Sequence, residues 1–446
     1  MDRSVTAEAT DRPALPAPGG GPVDQELGRD GTAASGRRRR WLTYLAIAGP
    51  GLIAANAGND AGGIITYASA GAQFKYRALF FMVLVTVALV VVQEMCARLG
   101  AFTGKGLAAL IREEFSLRLA SFALFFLVVA NVGLVVSEFA GIGAALELLG
   151  VSKFISVPVA AVGIWALVMF GSYRYAERLF LVLSLVFFAY PVAALLGHPD
   201  WGQVGSNLVV PHFVGSKAFI LLGVALIGTT ITPYMQLYVA AAVADKGIGP
   251  DEYRYERVDT VAGAITGDVI SCFIIIATGA ALGRFGQPLA SAHDAAQALR
   301  PVAGTLSVDL FGLGLLGASM LAGAVVPLST AYAVSEALGV ERSVSRSFAE
   351  APLFLSLFSA QIVIGAMVAL LPGNLVGLLI NTQTLNGLIT PVILVFILVL
   401  ANRRRLLGAA ANGPVFRVVA TISVAAVAAM AVTLVLQTIA GWFGVG

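Results

Sequence analysis

The sequence predicts an all-α integral membrane protein with eleven transmembrane helices, built as a 5+5 inverted repeat plus one more helix. Two observations support this class. Of the 446 residues, 58% are hydrophobic and only 12% are charged, about half the charged fraction of a soluble domain. In addition, the first and sixth apolar segments are interrupted by helix-breaking residues, at corresponding positions in the two halves, as expected of discontinuous helices beside a central site.

The chain begins with a segment unlike the rest. Residues 1–36 are rich in Pro, Gly, Ala and charge without periodicity, and no signal peptide is recognisable. We therefore expect residues 1–40 to form a disordered cytoplasmic tail. Its last four residues, Arg37 to Arg40, are interpreted as a topology anchor and not as a nucleic-acid patch.

The remaining apolar segments are long enough to cross a bilayer, which requires about 20 residues in a helix. The predicted spans are residues 43–70, 78–99, 119–149, 155–172, 179–197, 218–243, 259–283, 307–337, 350–372, 376–401 and 416–440.

Lysine and arginine give the orientation of these spans. With the N-terminus inside, nineteen of them flank the inner ends of the spans and six flank the outer ends. Because basic residues favour the cytoplasmic side, the sequence predicts a multi-pass cell membrane protein with a cytoplasmic N-terminus and an extracytoplasmic C-terminus.

The spans divide into two groups of opposite orientation. Five spans separate the start of the first span from that of the sixth, so the second group of five enters from the opposite face. We predict a first repeat over residues 41–201, a second over 202–405, and an additional helix over 406–446. Such repeats place a binding site at their interface near the bilayer midplane.

The first span contains the least membrane-like stretch, "ANAGNDAGGIITYASAGAQ" (Ala55 to Gln73). Its glycines weaken a helix, and irregular backbone at this depth is tolerated only where it lines a cavity or is buried in protein. A carboxylate in mid-span, here Asp60, costs at least about 2.5–3.5 kcal/mol and usually faces a cation, a polar cavity or a proton path. No Lys or Arg is predicted nearby, so Asp60 is the leading candidate for a cation ligand.

The sixth span is interrupted in the same way by "GTTITPYMQ" (Gly228 to Gln236). Pro233 lacks an N–H, and its ring clashes with an upstream carbonyl, so the helix kinks or unwinds there. Freed carbonyls and the hydroxyls of Thr229 and Thr232 supply oxygens, which suit a hard cation such as Mg²⁺ that keeps much of its water. No imidazole or thioether is evident among these donors.

Three further polar residues lie inside other spans: Gln383, Glu138 and Asp268. Gln383 is either an amide ligand or a partner in a hydrogen bond between helices. Glu138 and Asp268 are either secondary ion ligands or structural hydrogen-bond partners.

The stretch Gly49 to Tyr76 resembles the first span of the natural resistance-associated macrophage protein (NRAMP) metal transporters. That family has Gly-Pro-Gly followed by Asp-Pro-Gly-Asn. Here the second motif is Asp60, Ala61, Gly62 and Gly63, so the Asp that binds metal in the family is kept and the ligand Asn is replaced by glycine.

The family's second motif, Met-Pro-His, corresponds to Thr232, Pro233 and Tyr234. The resemblance implies that a sulfur ligand has become a threonine and a histidine of the proton route a tyrosine. Thr229 occupies the position whose backbone carbonyl oxygen is a metal ligand in the family. Gln383 and Glu138 match family residues, whereas an Asp of the proton route is Val135 here.

These departures resemble the NRAMP-related magnesium transporter branch, which implies a LeuT-type fold and carriage of Mg²⁺, and also of Mn²⁺, without proton coupling. No cofactor, nucleic acid or obligate protein partner is implied; the partners are the divalent cation and the lipid bilayer. The metal ligands implied are Asp60, Gly63, Thr229, Thr232 and Gln383. The candidates for a secondary ion site or pathway are Asn59, Tyr234, Glu138 and Asp268.

Features of the sequence are also compatible with three other functions. One is a proton-coupled Mn²⁺/Fe²⁺ transporter of the same family, since Glu138 is retained. Another is a carrier of an organic amine or amino acid, with Asp60 pairing the ammonium and Tyr67 and Tyr234 offering aromatic faces. The third is a membrane aspartyl protease, suggested by "ITGD" (Ile265 to Asp268), whose chemistry needs two carboxylates that share a proton. We expect no enzyme.

Overall fold

The structure, a computed structural model, describes residues 59–170, 185–340 and 350–442, and these ranges are helical with no strand. The helices are α1 Ala61–Phe74, α2 Leu79–Thr103, α3 Leu107–Glu114, α4 Leu117–Leu148, α5 Lys153–Met169, α6 Ala189–Leu196, α7 Trp201–Val209, α8 Lys217–Thr230, α9 Pro233–Asp245, α10 Tyr253–Ala281, α11 Ala292–Ala296, α12 Arg300–Ala303, α13 Ser307–Leu338, α14 Pro352–Ala369, α15 Leu375–Asn402, α16 Arg404–Leu407 and α17 Pro414–Trp442.

The long helices coincide with the predicted spans to within a few residues, except that α10 begins six residues earlier. Within the described ranges, eight helical stretches are long and apolar enough to cross a membrane, and shorter apolar helices lie at Lys153–Met169 and Leu185–Leu196. Parts of the predicted spans, including residues 43–58 and 179–184, lie outside the described residues. The all-helical membrane class is confirmed, and the number eleven stays a prediction.

The predicted break in the sixth span is confirmed. Helix α8 ends at Thr230, and α9 begins at Pro233, with Thr232 in an extended conformation between them. Proline is at the first position of α9, where its missing N–H costs nothing because the first amides of a helix have no partner inside it. Helix α1 begins at Ala61, directly after the extended residue Asp60.

Small residues bring α8 and α15 into close contact at this break. A Cβ at Gly228 would overlap the backbone of Gln383 and Gly387, so the glycine is what permits the two helices to approach this closely. The Asn386 side chain donates a 2.7 Å hydrogen bond to the Gly228 carbonyl. This contact holds Gln383, one turn before Asn386 on α15, beside the interrupted helix.

Helix α4 packs against both α13 and α15, and α1 lies against α8, α10 and α15. Polar side chains are also buried in this interior, and some of them form hydrogen bonds between helices. Asn131 on α4 donates a 2.7 Å hydrogen bond to Thr330 on α13. The start of α1 is thus enclosed by long helices on several sides, which keeps lipid away from its polar groups.

A charged cluster joins two connecting segments at one end of the molecule. The Glu114 carboxylate at the end of α3 accepts hydrogen bonds of 2.6 Å from Arg403 and 2.8 Å from Arg405. These arginines, Arg405 foremost, hold the pKa of Glu114 below its usual range. The cluster ties α3 to the segment after α15.

This cluster gives a pH-dependent contribution to stability. A carboxyl whose pKa is lower in the folded protein contributes stability above its unfolded pKa, about 4.3, and loses it as the pH falls through the folded value. We therefore expect Glu114→Gln to lower the melting temperature by about 1–2 °C at pH 7, a small effect because such ion pairs are solvent-screened. Melting curves at pH 7 and pH 3 check this; an equal decrease at both would contradict the charge explanation.

Candidate metal site

Asp60 is the centre of the site, and its backbone position follows from helix capping. It is the N-cap residue of α1, and its Oδ1 accepts a 2.6 Å hydrogen bond from the Gly63 amide. Asp is among the preferred N-cap residues because its oxygen satisfies an amide that has no partner inside the helix. Only 2% of Asp60 is exposed, so the carboxylate is held at a fixed place in the interior.

Two side chains from the other half of the chain reach this carboxylate. The Gln383 Nε2 of α15 lies 3.2 Å from Oδ1 and 3.4 Å from Oδ2, and the Thr229 hydroxyl of α8 lies 3.5 Å from Oδ1. Three residues predicted as ligands are thus brought together by three different helices. Gly62 permits this approach, because a Cβ there would overlap the Gln383 amide.

Thr232 and Thr229 offer oxygen atoms at the break in the sixth span. Thr232 is fully buried, and its hydroxyl has no hydrogen-bond partner within the described ranges. The Thr229 carbonyl would pair with the amide four residues later, but residue 233 is proline and has none. Buried polar groups are normally satisfied, so these oxygens are available to a cation.

Glu138 approaches the same helix end from α4. It is fully buried; its Oε2 accepts a 3.4 Å hydrogen bond from the Ala61 amide, and its Oε1 has no partner in the described part of the chain. Two carboxylates, those of Asp60 and Glu138, therefore accept hydrogen bonds from amides at the N-terminus of α1, where free amides and the helix dipole favour negative charge. Tyr234, the second residue of α9, is buried as well.

A second polar layer lies between α1 and α10. The Ser271 hydroxyl is 3.4 Å from the Asn59 Oδ1. Asp268, one turn earlier on α10, is buried, and its Oδ2 has no hydrogen-bond partner within the described ranges. Asp268 is not a hydrogen-bond partner of Asp60, so the two carboxylates do not form the proton-sharing pair of an aspartyl protease.

Several polar contacts around the site were not anticipated from the sequence. Tyr67 on α1 and Thr230 on α8 form a 2.9 Å hydrogen bond that joins the two helices directly beside the site. Ser137 is fully buried, and a Cβ on Gly62 would press against its hydroxyl. The sequence could have identified Ser137 as a residue of the site only through its position next to Glu138. Nothing in the sequence indicates that Tyr67 pairs with Thr230.

The arrangement is a set of oxygens around a single central carboxylate. Within the described residues, no group of three or more His, Cys, Asp or Glu could hold a metal, so neutral oxygens contribute to any coordination shell. Carboxylate, hydroxyl, carbonyl and amide oxygens are the donors that hard divalent cations prefer. The site is therefore suited to a cation that arrives with part of its hydration shell.

Comparisons with known proteins agree with this geometry. The family model described as natural resistance-associated macrophage protein-like matches residues 51–437. A divalent metal cation transporter MntH of Aeromonas hydrophila is 29% identical over 410 residues, 89% of this chain and 96% of the relative. The MntH protein of Bacillus subtilis is 28% identical over 310 residues, 67% and 72% of the two chains.

Solved structures share the fold. A manganese transporter of Eremococcus coleocola superposes with a TM-score of 0.71 at 20% identity, covering 92% of this chain and 90% of that one. Mhp1, a nucleobase-cation-symport-1 family transporter, superposes with a TM-score of 0.53 at 14% identity, covering 88% and 93%. Together with the broken sixth span, these similarities confirm the LeuT-type class. The chain belongs to the NRAMP family of membrane transporters.

Proposed function

We propose that the protein carries divalent metal cations, Mg²⁺ and also Mn²⁺, into the cell by alternating access, without proton coupling. The observation that carries the proposal is Asp60, a buried carboxylate at the start of α1 that meets Thr229 beside the interrupted sixth span. Relatives named as divalent metal cation transporters support the substrate class. The Lys and Arg distribution supports a cytoplasmic N-terminus.

The cation binds to the Asp60 carboxylate, the Thr232 hydroxyl and an oxygen of Thr229. Gly63 supports the carboxylate through its amide, which donates the 2.6 Å hydrogen bond, and its carbonyl oxygen remains a candidate ligand. A glycine at this position also leaves space that a side-chain ligand would fill. Water molecules carried by the ion complete its shell.

Gln383 joins the site by turning its amide group. In the structure its nitrogen donates to Asp60, while its Oε1 has no partner among the described residues. A cation on the carboxylate repels the amide hydrogens and attracts the amide oxygen. Rotation of the terminal amide by about half a turn therefore exchanges the Gln383–Asp60 hydrogen bond for a ligand bond, which couples α15 to binding.

The absence of sulfur from this ligand set determines the selectivity. Thioether and thiolate ligands select softer metals, whereas carboxylate, carbonyl and water suit Mg²⁺ and Mn²⁺ alike. Mg²⁺ gives up its water reluctantly and is usually bound through one or two carboxylates. A site with one central carboxylate and neutral oxygens fits that requirement.

The membrane potential is sufficient to drive uptake. Moving one charge through 100 mV is worth about 2.3 kcal/mol, hence about twice that for a dication. No histidine lies in a long helix: His198 and His212 are in connecting segments, and His293 is in the five-residue α11. This placement supports uncoupled transport.

The test is uptake by the purified protein in liposomes under an inside-negative potential, with an enclosed Mg²⁺ indicator and a second dye for internal pH. We expect Mg²⁺ to enter without acidification and Mn²⁺ to compete with it. Failure of both ions to enter would contradict the proposal. Entry of Mn²⁺ alone with acidification would instead establish the proton-coupled alternative, which the retained Glu138 beside Ala61 favours.

A further inference from the structure

We propose that Asp268, Ser271 and Asn59 form a second binding station for the divalent cation, beside the Asp60 site. The inference rests on the proposed function, because it assigns a second position to the same cargo. The three residues come from two segments: Asp268 and Ser271 from α10, and Asn59 from the segment that precedes α1.

Asp268 supplies the charge of this station. It is 5% exposed, and its Oδ2 has no hydrogen-bond partner within the described ranges. A buried carboxylate oxygen without a donor is costly unless a cation or a proton compensates it. An isolated structural carboxylate would be expected to have both oxygens satisfied.

The described part of the chain offers Asp268 no basic partner. No Lys or Arg occurs between Arg257 and Arg284, and α10 packs against α1, α2, α6 and the turn Gln297–Leu299. Helices α1 and α6 and this turn contain no basic residue. The one in α2, Arg98, is bound to Glu94, at 3.1 Å, and to Asn412. The compensating charge therefore has to be an external cation or a proton.

Neutral oxygens complete the station. Ser271 follows Asp268 by three residues, so both point from the same face of α10. The Ser271 hydroxyl lies 3.4 Å from the Asn59 Oδ1 and 3.1 Å from the Gly267 carbonyl. Carboxylate, hydroxyl and amide oxygens again suit a hard cation.

Asn59 connects the two positions, because it immediately precedes Asp60 in the chain. The Ser271 hydroxyl on α10 contacts the Asn59 side chain, so the second station lies against the residue that precedes Asp60.

The experiment is a titration of the purified protein with Mn²⁺, in which free Mn²⁺ is measured by electron paramagnetic resonance. We expect two Mn²⁺ per wild-type chain, one for Asp268→Asn, and one for Asp60→Asn. Asp268→Asn retaining two sites, or Asp60→Asn abolishing all binding, would overturn the second station alone. Wild-type protein that binds no Mn²⁺ would overturn the proposed function itself.

Two further variants separate a local effect from misfolding. Ser271→Ala keeps the charge and removes one oxygen, so we expect two sites, with the dissociation constant of the weaker one raised at least 5-fold; an unchanged value would count against the station. Glu147→Gln removes an exposed carboxylate at the end of α4 and should bind like the wild type. Size-exclusion profiles and melting temperatures identify any variant that is not folded.

Discussion

Asp60→Asn is expected to lower the initial rate of divalent-cation uptake at least 100-fold. Two unit charges about 4 Å apart attract by about 4 kcal/mol at an effective dielectric constant of 20, and a dication doubles this. Because about 1.4 kcal/mol is worth a factor of ten, even half of the doubled value corresponds to nearly a thousandfold. The measurement is Mg²⁺ and Mn²⁺ entry into liposomes at matched protein content.

The choice of asparagine isolates the charge. Asn has the same shape and also accepts from N-terminal amides, so the hydrogen bond from Gly63 to residue 60 is kept. The matched control is Asp309→Asn, which removes an exposed carboxylate from the first turn of α13 and should leave uptake unchanged. Wild-type rates in Asp60→Asn would refute a cation site at this residue.

Thr232→Met is expected to change the selectivity. It replaces a buried hydroxyl, which has no partner within the described ranges, by a soft thioether. We expect Mg²⁺ uptake to fall at least 10-fold and Cd²⁺ affinity to rise at least 10-fold, because sulfur favours soft metals over Mg²⁺. Competition of Mg²⁺ and Cd²⁺ for uptake measures both effects.

Thr232→Val is the matched control for this substitution, because it removes the hydroxyl without adding sulfur. It should reduce Mg²⁺ uptake as Thr232→Met does, with no gain in Cd²⁺ affinity. Equal Cd²⁺ affinity in the two variants would show that residue 232 does not contact the ion. A Mg²⁺ rate unaffected by either change would show the same.

The helices and the break in the sixth span were predictable because they depend on local properties. A bilayer fixes the length of an apolar segment, and a proline next to glycine and threonines disfavours a continuous helix, so α8 and α9 followed from residues 218–243 and Pro233. Proline alone is not sufficient, because Pro158, Pro327 and Pro391 lie inside continuous helices. Asp60 was identifiable for a similar reason: a charge at that depth is costly whatever surrounds it.

The contacts between helices were not predictable, because they depend on how each helix is rotated against its neighbours. Small residues such as Gly228 determine which faces approach, and no pattern in one sequence pairs Asn386 with the Gly228 carbonyl or Ser271 with Asn59. Gln383 illustrates the difference: the sequence left a ligand and an interhelical hydrogen bond open, and the structure shows the hydrogen bond to Asp60.

The most direct test of the proposed site is a crystal structure of the protein soaked with Mn²⁺, with anomalous scattering used to locate the ion. We expect an anomalous peak in contact with the Asp60 carboxylate, next to Thr229 and Thr232, and an amide oxygen of Gln383 turned toward it. A bound ion that makes no contact with Asp60 would contradict the cation site on which the proposed function depends.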